Sequence, residues 1–174
     1  MPGMRLSKTS ATTNTTNPVG LRQPRVADGS RIHRLAAETG VLDTNSVYAY
    51  VLWCHDFATT SVVAETDDGE LAGFVTGYQR PDDPSVLMVW QVGVDAKFRG
   101  QGIAARMLHH LFDVFADAGV RAMHTTISPD NEASQRLFAS VAQQRGLSLS
   151  RRPLFAAADL GDGHEDEDLY ILAP

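Results

Sequence analysis

Two stretches of this chain hold residues whose types and spacing could do chemistry. The first is Arg99-Gly100-Gln101-Gly102-Ile103-Ala104, a glycine-rich turn between the apolar run Val86–Val94 and a helical pattern. Glycines let backbone N–H groups converge, a helix start leaves four of them unpaired, and its dipole favours negative charge. With Arg99 at the mouth, the turn is a seat for a pyrophosphate or another phosphorylated ligand. Gly100, Gly102 and Ala104 read G-x-G-x-A, without the third glycine of a dinucleotide turn, and no Gly-Lys-Ser/Thr follows as a phosphate-binding loop requires. A generic crossover would use the same glycines only to turn. The second stretch is residues 159–168, where six acids and His164 share ten positions. Left alone it is a solvated turn; beside a cleft it attracts cations.

The elements that must hold these residues follow from periodicity. Residues 86–94 alternate into two faces, Val86, Met88, Trp90, Val92, Val94 and Leu87, Val89, Gln91, Gly93. A strand apolar on both sides belongs inside a covered sheet. Trp90, sharing a face with Val92 and Val94, is either core or the wall of a pocket. After the turn, Ile103, Met107, Leu111 and Ala104, Leu108, Phe112, Phe115 form the buried stripes of a helix that ends at Gly119. Upstream, residues 21–26 read as a short strand, and Asp28 as the cap of a helix that buries Ile32, Leu35 and Ala36 and stops at Gly40. Asp43, Asn45 and Ser46 precede a second helix with the stripe Val47, Tyr50, Val51, Cys54. Residues 60–64 and 70–78 form a hairpin through Asp67-Asp68-Gly69. Residues 120–127 are a fifth strand, Ser128 caps a helix with the stripe Ala133, Leu137, Val141, and two weak strands lie within 147–174. This order describes a mixed α/β fold, a strongly twisted sheet of about seven strands flanked by about four helices.

The 174 residues suit one domain, with residues 1–20 read as a disordered leader and 21–174 as the folded unit. A net charge of −6 weighs against nucleic acid and an anionic membrane, and leaves room for a cationic substrate. No apolar run reaches the roughly 18 residues of a membrane span, and the start lacks the apolar core of a secretory signal. Cys54 stands alone, so no internal disulfide forms and a cytoplasmic location is expected; within its apolar pattern it reads as core filler. No metal is expected: His164 with Asp166 or Asp168 lacks a calcium-loop pattern and has no cysteine ligands nearby.

The glycine-rich turn resembles the acyl-CoA motif of the GCN5-related N-acetyltransferases, in which Arg/Gln-x-x-Gly-x-Gly/Ala cradles the coenzyme A pyrophosphate. Arg99, Gly102 and Ala104 fall on its defined positions. The element order is also that family's topology. The phrases Gly40-Val-Leu-Asp-Thr-Asn-Ser-Val-Tyr-Ala-Tyr50, Gly73-Phe-Val-Thr-Gly-Tyr78, Val89-Trp-Gln-Val92, Thr126-Ile-Ser-Pro-Asp-Asn-Glu-Ala-Ser-Gln135 and Gly163-His-Glu-Asp-Glu167 narrow the resemblance. Together, over about residues 21–174, they look like the L-2,4-diaminobutyrate N-acetyltransferases of ectoine biosynthesis.

That resemblance implies acetyl-CoA as cosubstrate, acetylation of the N4 amine of L-2,4-diaminobutyrate, and a homodimer. It implies a strand that splays from its neighbour to admit acetyl-CoA, with Gln91, Val92 and Val94 as backbone donors. It also implies Arg99, Gly100, Gly102 and Ala104 around the pyrophosphate, and Asn131 on the pantetheine side or as a helix cap. It places Asp43, Trp90, His164 and Glu167 in the amino-acid pocket, with Asp43 and Glu167 paired to the two amines; Tyr48 is added there as a substrate contact, and Arg80 is either the partner of the substrate carboxylate or an ordinary surface arginine. An alkylammonium with a pKa of about 10.4 must lose a proton before it attacks, and Glu167 or His164 is the acceptor. Histidine titrates near neutral pH, whereas a carboxylate needs an apolar setting to do so. One family feature is absent. The tyrosine of a Leu-Tyr pair that protonates the departing thiolate is replaced in Leu137-Phe138, and phenylalanine has no proton to give. Tyr48, Tyr170, or solvent with helix amides are the alternatives. Two rival functions share the fold: acetylation of another small amine, and a non-catalytic acetyl-CoA sensor.

Overall fold

The computed structural model describes residues 18–174. Seven strands form one sheet: β1 (Val19–Arg22), β2 (Val62–Thr66), β3 (Leu71–Gln79), β4 (Val86–Val94), β5 (Ala122–Ile127), β6 (Ser148–Phe155) and β7 (Glu167–Ala173). Their order across the sheet is β1-β2-β3-β4-β5-β7-β6. Helices α1 (Gly29–Thr39), α2 (Val47–Asp56), α3 (Ile103–Ala116) and α4 (Glu132–Arg145) flank it, and the short α5 (Ala157–Leu160) precedes β7. Only β4 and β5 pair parallel, because α3 crosses over between them. Residues 1–17 of the expected leader lie outside the described residues, while Val19 and Gly20, also read as leader, belong to β1.

Two cores hold the layers together. On one face Met107, Leu108, Leu111 and Phe138 of α3 and α4 pack on Leu87, Val89 and Met123 of the sheet. On the other, Ile32, Leu35, Tyr50 and Cys54 of α1 and α2 pack on Val63 and Phe74. Burial and the charge of Asp28 push the Cys54 thiol up to about 11, so it stays protonated as core filler.

Three local expectations are corrected. Asp28 occupies the N-cap position of α1 but has helical angles and makes no side-chain cap bond. Its carboxylate, on a residue only 2% exposed, instead accepts from Arg22 (2.7 and 3.0 Å), Arg31 (2.8 Å) and the Arg25 N–H (2.7 Å). Glu65 of β2 takes the same two arginines, from Arg22 at 2.8 and 2.9 Å and from Arg31 at 2.9 Å. Second, Asn131 rather than Ser128 caps α4, accepting from the Ser134 N–H at 3.0 Å. Third, Val47 and Ala133, expected in buried stripes, are exposed, and Phe138 takes the core position on α4.

The face assignment of β4 also changes. Thr76 of β3 pairs with Gln91, but the next residue, Gly77, pairs with Val89, so Trp90 is an extra residue bulged out of the ladder. The bulge reverses the alternation. Leu87 and Val89 before it share the α3 face with Val92 and Val94 after it. Trp90 therefore does not share their face; it stacks on Trp53 and Tyr50 of α2.

Candidate active site

β4 and β5 begin side by side and then part. Their pairing runs from Val86↔Ala122 to Val89↔Thr125 and stops, although β4 continues through Trp90 to Val94. On its other edge β4 stays bonded to β3: the Asp95 N–H donates to the Ala72 carbonyl at 2.9 Å, and the Gln91 N–H to Thr76 Oγ1 at 3.2 Å. Successive N–H groups of a strand point to opposite edges. Those of Val92 and Val94 therefore point into the notch that β5 has left. Gln91, expected as a third donor, has its N–H engaged on the β3 side.

A cleft of about 450 Å³ continues from this notch, within the range of small-molecule sites. Val92, Val94, Arg99, Gly100, Gly102 and Ala104 line one side of it. Asn131, Ser134 and Leu137 of α4 line another. Gly100 and Gly102 have φ of 76° and 72°, which side chains rarely adopt, and a Cβ at either would meet nothing within 4 Å. The turn thus needs glycine for its backbone angles, not for want of space. Gly102 occupies the N-cap of α3 and no side chain caps it, which leaves the first N–H groups of the helix to a ligand. Arg99 Nε donates to the Val94 carbonyl at 3.3 Å, and the outer guanidinium nitrogens have no partner among the described residues. These features fit the phosphates and thioester arm of an acyl-CoA. Asn131 lines the cleft and caps α4 at once.

The loop between α1 and α2, whose Val41 and Leu42 line the cleft, also meets the loop before β7. His164 Nδ1 lies 3.7 Å from Asp43 Oδ2. Glu167 opens β7, partly buried, and its carboxyl is pushed above the ordinary carboxylate range. Burial is the main cause; a hydrogen bond with Thr126 opposes it, and the charges of Asp43, Asp130 and Asp168 add to it. Asp43, far in sequence from His164 and Glu167, is brought beside that pair. A carboxyl in this setting draws a cation and is poised to take a proton.

Trp90 lies two residues before Val92, its ring stacked on Trp53 with centroids 4.2 Å apart and on Tyr50 at 6.2 Å. Other expected residues stand apart. Arg80 spends Nε and one outer nitrogen on Asp82, at 3.0 and 2.9 Å, so binding a substrate carboxylate would require that pair to open. Tyr48 is 72% exposed. Tyr170 is buried and its hydroxyl faces Arg151 at 3.5 Å. Phe138, at the position of the missing tyrosine, is 2% exposed and belongs to the core.

Sequence reasoning missed the side chain of Gln91, and with it Trp53 and Thr126. The signal for Gln91 was present: a lone amide within an apolar strand must find partners when buried. Among the described residues, no group of three or more His, Cys, Asp or Glu could hold a metal ion, and no helix is long and apolar enough to cross a membrane.

Comparison with known proteins agrees with this geometry. A model of the Acetyltransferase (GNAT) family matches residues 30–142. The L-2,4-diaminobutyric acid acetyltransferase of Streptomyces coelicolor is 52% identical over 154 residues, covering 87% of this chain and 91% of its own. That of Halomonas elongata is 37% identical over 158 residues, covering 91% and 82%. Among solved structures, the chain is similar to the diaminobutyrate acetyltransferase EctA from Paenibacillus lautus in complex with its substrate L-2,4-diaminobutyric acid and coenzyme A. The identity is 39% and the TM-score 0.86, with 91% of this chain and 96% of that one covered.

Proposed function

This chain belongs to the L-2,4-diaminobutyric acid acetyltransferases of the GNAT family, and from that premise we infer that it moves the acetyl group of acetyl-CoA to the side-chain amine of L-2,4-diaminobutyrate. The observation that carries the reading is that the loop bearing Asp43 borders the cleft: Leu42 lines it, and the Asp43 carbonyl accepts from Gln91, one residue before Val92, while His164 and Glu167 lie on the far side of Asp43. A cation-attracting group thus stands next to the strand proposed to seat the thioester. That arrangement favours catalysis over a sensor, and an acidic pocket suits a diamine better than a neutral acceptor.

Bound acetyl-CoA supplies an activated acetyl group as a thioester. Arg99, with the amides at the start of α3, holds the phosphates, and Asn131 borders the pantetheine arm. The N–H groups of Val92 and Val94 donate to the thioester oxygen, most strongly when it becomes an oxyanion. Asp43 holds one ammonium, Trp90 packs on the short alkyl chain, and Glu167 takes a proton from the attacking amine with His164 beside it. The new N–C bond forms first, giving the oxyanion, whose collapse breaks the C–S bond and releases the thiolate. With Phe138 in the core, the thiolate proton comes from solvent at the cleft or from Tyr48 should α2 bring it inward.

The test is acetyl-CoA with L-2,4-diaminobutyrate, thiol release followed in time and the acetyl position read by NMR. Release with N4-acetyl product is expected; no release above buffer would sink the substrate assignment. In the same assay Arg99→Ala is expected to raise the KM for acetyl-CoA about tenfold with little change in that for the amine. An unchanged cofactor KM would remove the pyrophosphate role.

The chain is further proposed to act in the cytoplasm, without nucleic acid or membrane as partner, and as a homodimer. Every residue of the edge strand β6 is exposed, including Leu149, Leu154 and Phe155, and such an edge is covered in stable proteins. Light scattering is expected to report twice the 18.9 kDa chain mass; a single chain mass would overturn the dimer.

A further inference from the structure

We propose that Gln91 is a positioning residue whose side-chain amide sets the amine-binding loop against the strand that holds the thioester. The proposal rests on the assignments of Asp43 to a substrate amine and of Val92 and Val94 to acetyl-CoA. Gln91 is 7% exposed, and both ends of its amide are engaged. Oε1 accepts from the Tyr50 hydroxyl at 3.0 Å, and Nε2 donates to the Asp43 carbonyl at 2.9 Å. The Tyr50 hydroxyl also lies 3.5 Å from that carbonyl, but its one proton goes to the shorter contact.

What the amide holds decides what it does. The Asp43 side chain is 82% exposed, so packing does not fix its carboxylate; the loop is fixed through its backbone. Asn45 Nδ2 also reaches the Asp43 carbonyl, at 3.3 Å, but that bond is internal to the loop. Leu42 packs partly on the α1–α2 core and keeps the loop attached. The bond from Gln91 ties the loop to β4, directly beside the bulged Trp90 and one residue from Val92. Moving that tie moves the amine relative to the thioester, and displacement by about 1 Å at a reacting centre can cost roughly a hundredfold in rate.

The chemistry requires a side chain that donates at one end and accepts at the other. A carboxylate of the same shape keeps the acceptor for Tyr50 and loses the donor for Asp43. Gln91→Glu is therefore expected to raise the KM for L-2,4-diaminobutyrate about tenfold or more and to lower kcat, while the KM for acetyl-CoA stays within about twofold. Tyr50→Phe, which leaves the Asp43 bond in place, is expected to move the amine KM by less than about threefold. Gln91→Met, similar in length and uncharged, removes both bonds and, set against Tyr50→Phe, isolates the Asp43 bond if the glutamate variant does not fold. Equal changes in both KM values, or an amine KM unmoved in an otherwise active variant, would overturn the positioning role. A native protein that releases no thiol with L-2,4-diaminobutyrate would instead sink the substrate assignment beneath it.

Discussion

Replacing Glu167 by glutamine is expected to lower kcat by about 10²- to 10⁴-fold, the usual worth of a general base, and to leave the melting temperature at neutral pH unchanged or higher. The two halves of that expectation share one cause. Burial, with Asp43, Asp130 and Asp168 nearby, holds the carboxyl above its ordinary range in the folded protein. Folding therefore disfavours its ionised form. The resulting cost is absent below the unfolded-chain pKa, grows as pH rises through the window up to the folded value, and is complete above it. Glutamine removes the cost together with the base. Steady-state rates and thermal melts on one preparation read both. Retained turnover would transfer the proton to His164; a lower melting temperature, with acetyl-CoA affinity lost in step with kcat, would make Glu167 a structural residue.

The second large effect falls on stability, far from the cleft. Asp28→Ala is expected to cost about 3 kcal/mol, because removing one partner of a buried ion pair leaves the others uncompensated. The low end of the usual range applies, since Arg22 and Arg31 keep Glu65 and are themselves partly exposed. The pair also sets the acid response. Burial raises the Asp28 pKa, but the bonds from Arg22 and Arg25 outweigh it and hold the carboxyl below its ordinary range. Hydrogen bonding by Arg22 takes Glu65 down to about 2. Both carboxylates stabilise the fold above their unfolded-chain pKa values, and that contribution fades as pH falls from about 4.5 toward 2. Urea melts at neutral pH and near pH 3 are expected to show the variant losing less on acidification than the native chain. Equal losses would mean that Asp28 is not part of the acid-sensitive cluster.

What was legible in the chain was whatever repeats locally. The stripes of α1 and α3, the glycine angles after β4 and the hairpin before β3 follow from spacing alone, and the residues of the turn that line the cleft came with them. The rest depends on partners that no short window contains. Trp90 reads as an ordinary member of an alternating strand, and only the register with Thr76 and Gly77 reveals it as an extra residue. Asp28 carries the marks of a cap, yet two arginines brought by β1 and α1 claim it. Ser128 and Asn131 are both good caps, and which serves depends on where β5 ends. Arg80, assigned to the substrate carboxylate, is instead engaged by Asp82, two residues on. Asp43 touches His164 and its charge reaches Glu167 because β7 is inserted between β5 and β6, a crossing invisible to periodicity.

The bulge at Trp90 behaves as a phase shift. Counted from either end, β4 keeps a perfect two-residue rhythm; the two counts disagree by one, and the disagreement is the tryptophan. A protein that lost this residue would lose no pairing, since Gln91 already faces Thr76 and Val89 already faces Gly77. The sheet would become more regular and the core faces would stay consistent. A side chain outside the count is also outside the register of the sheet, so its identity answers instead to the rings of Trp53 and Tyr50 on which it stacks. With Trp90 against the amine, as proposed, substrate choice can drift at this one position while the strand pairing around it stays still.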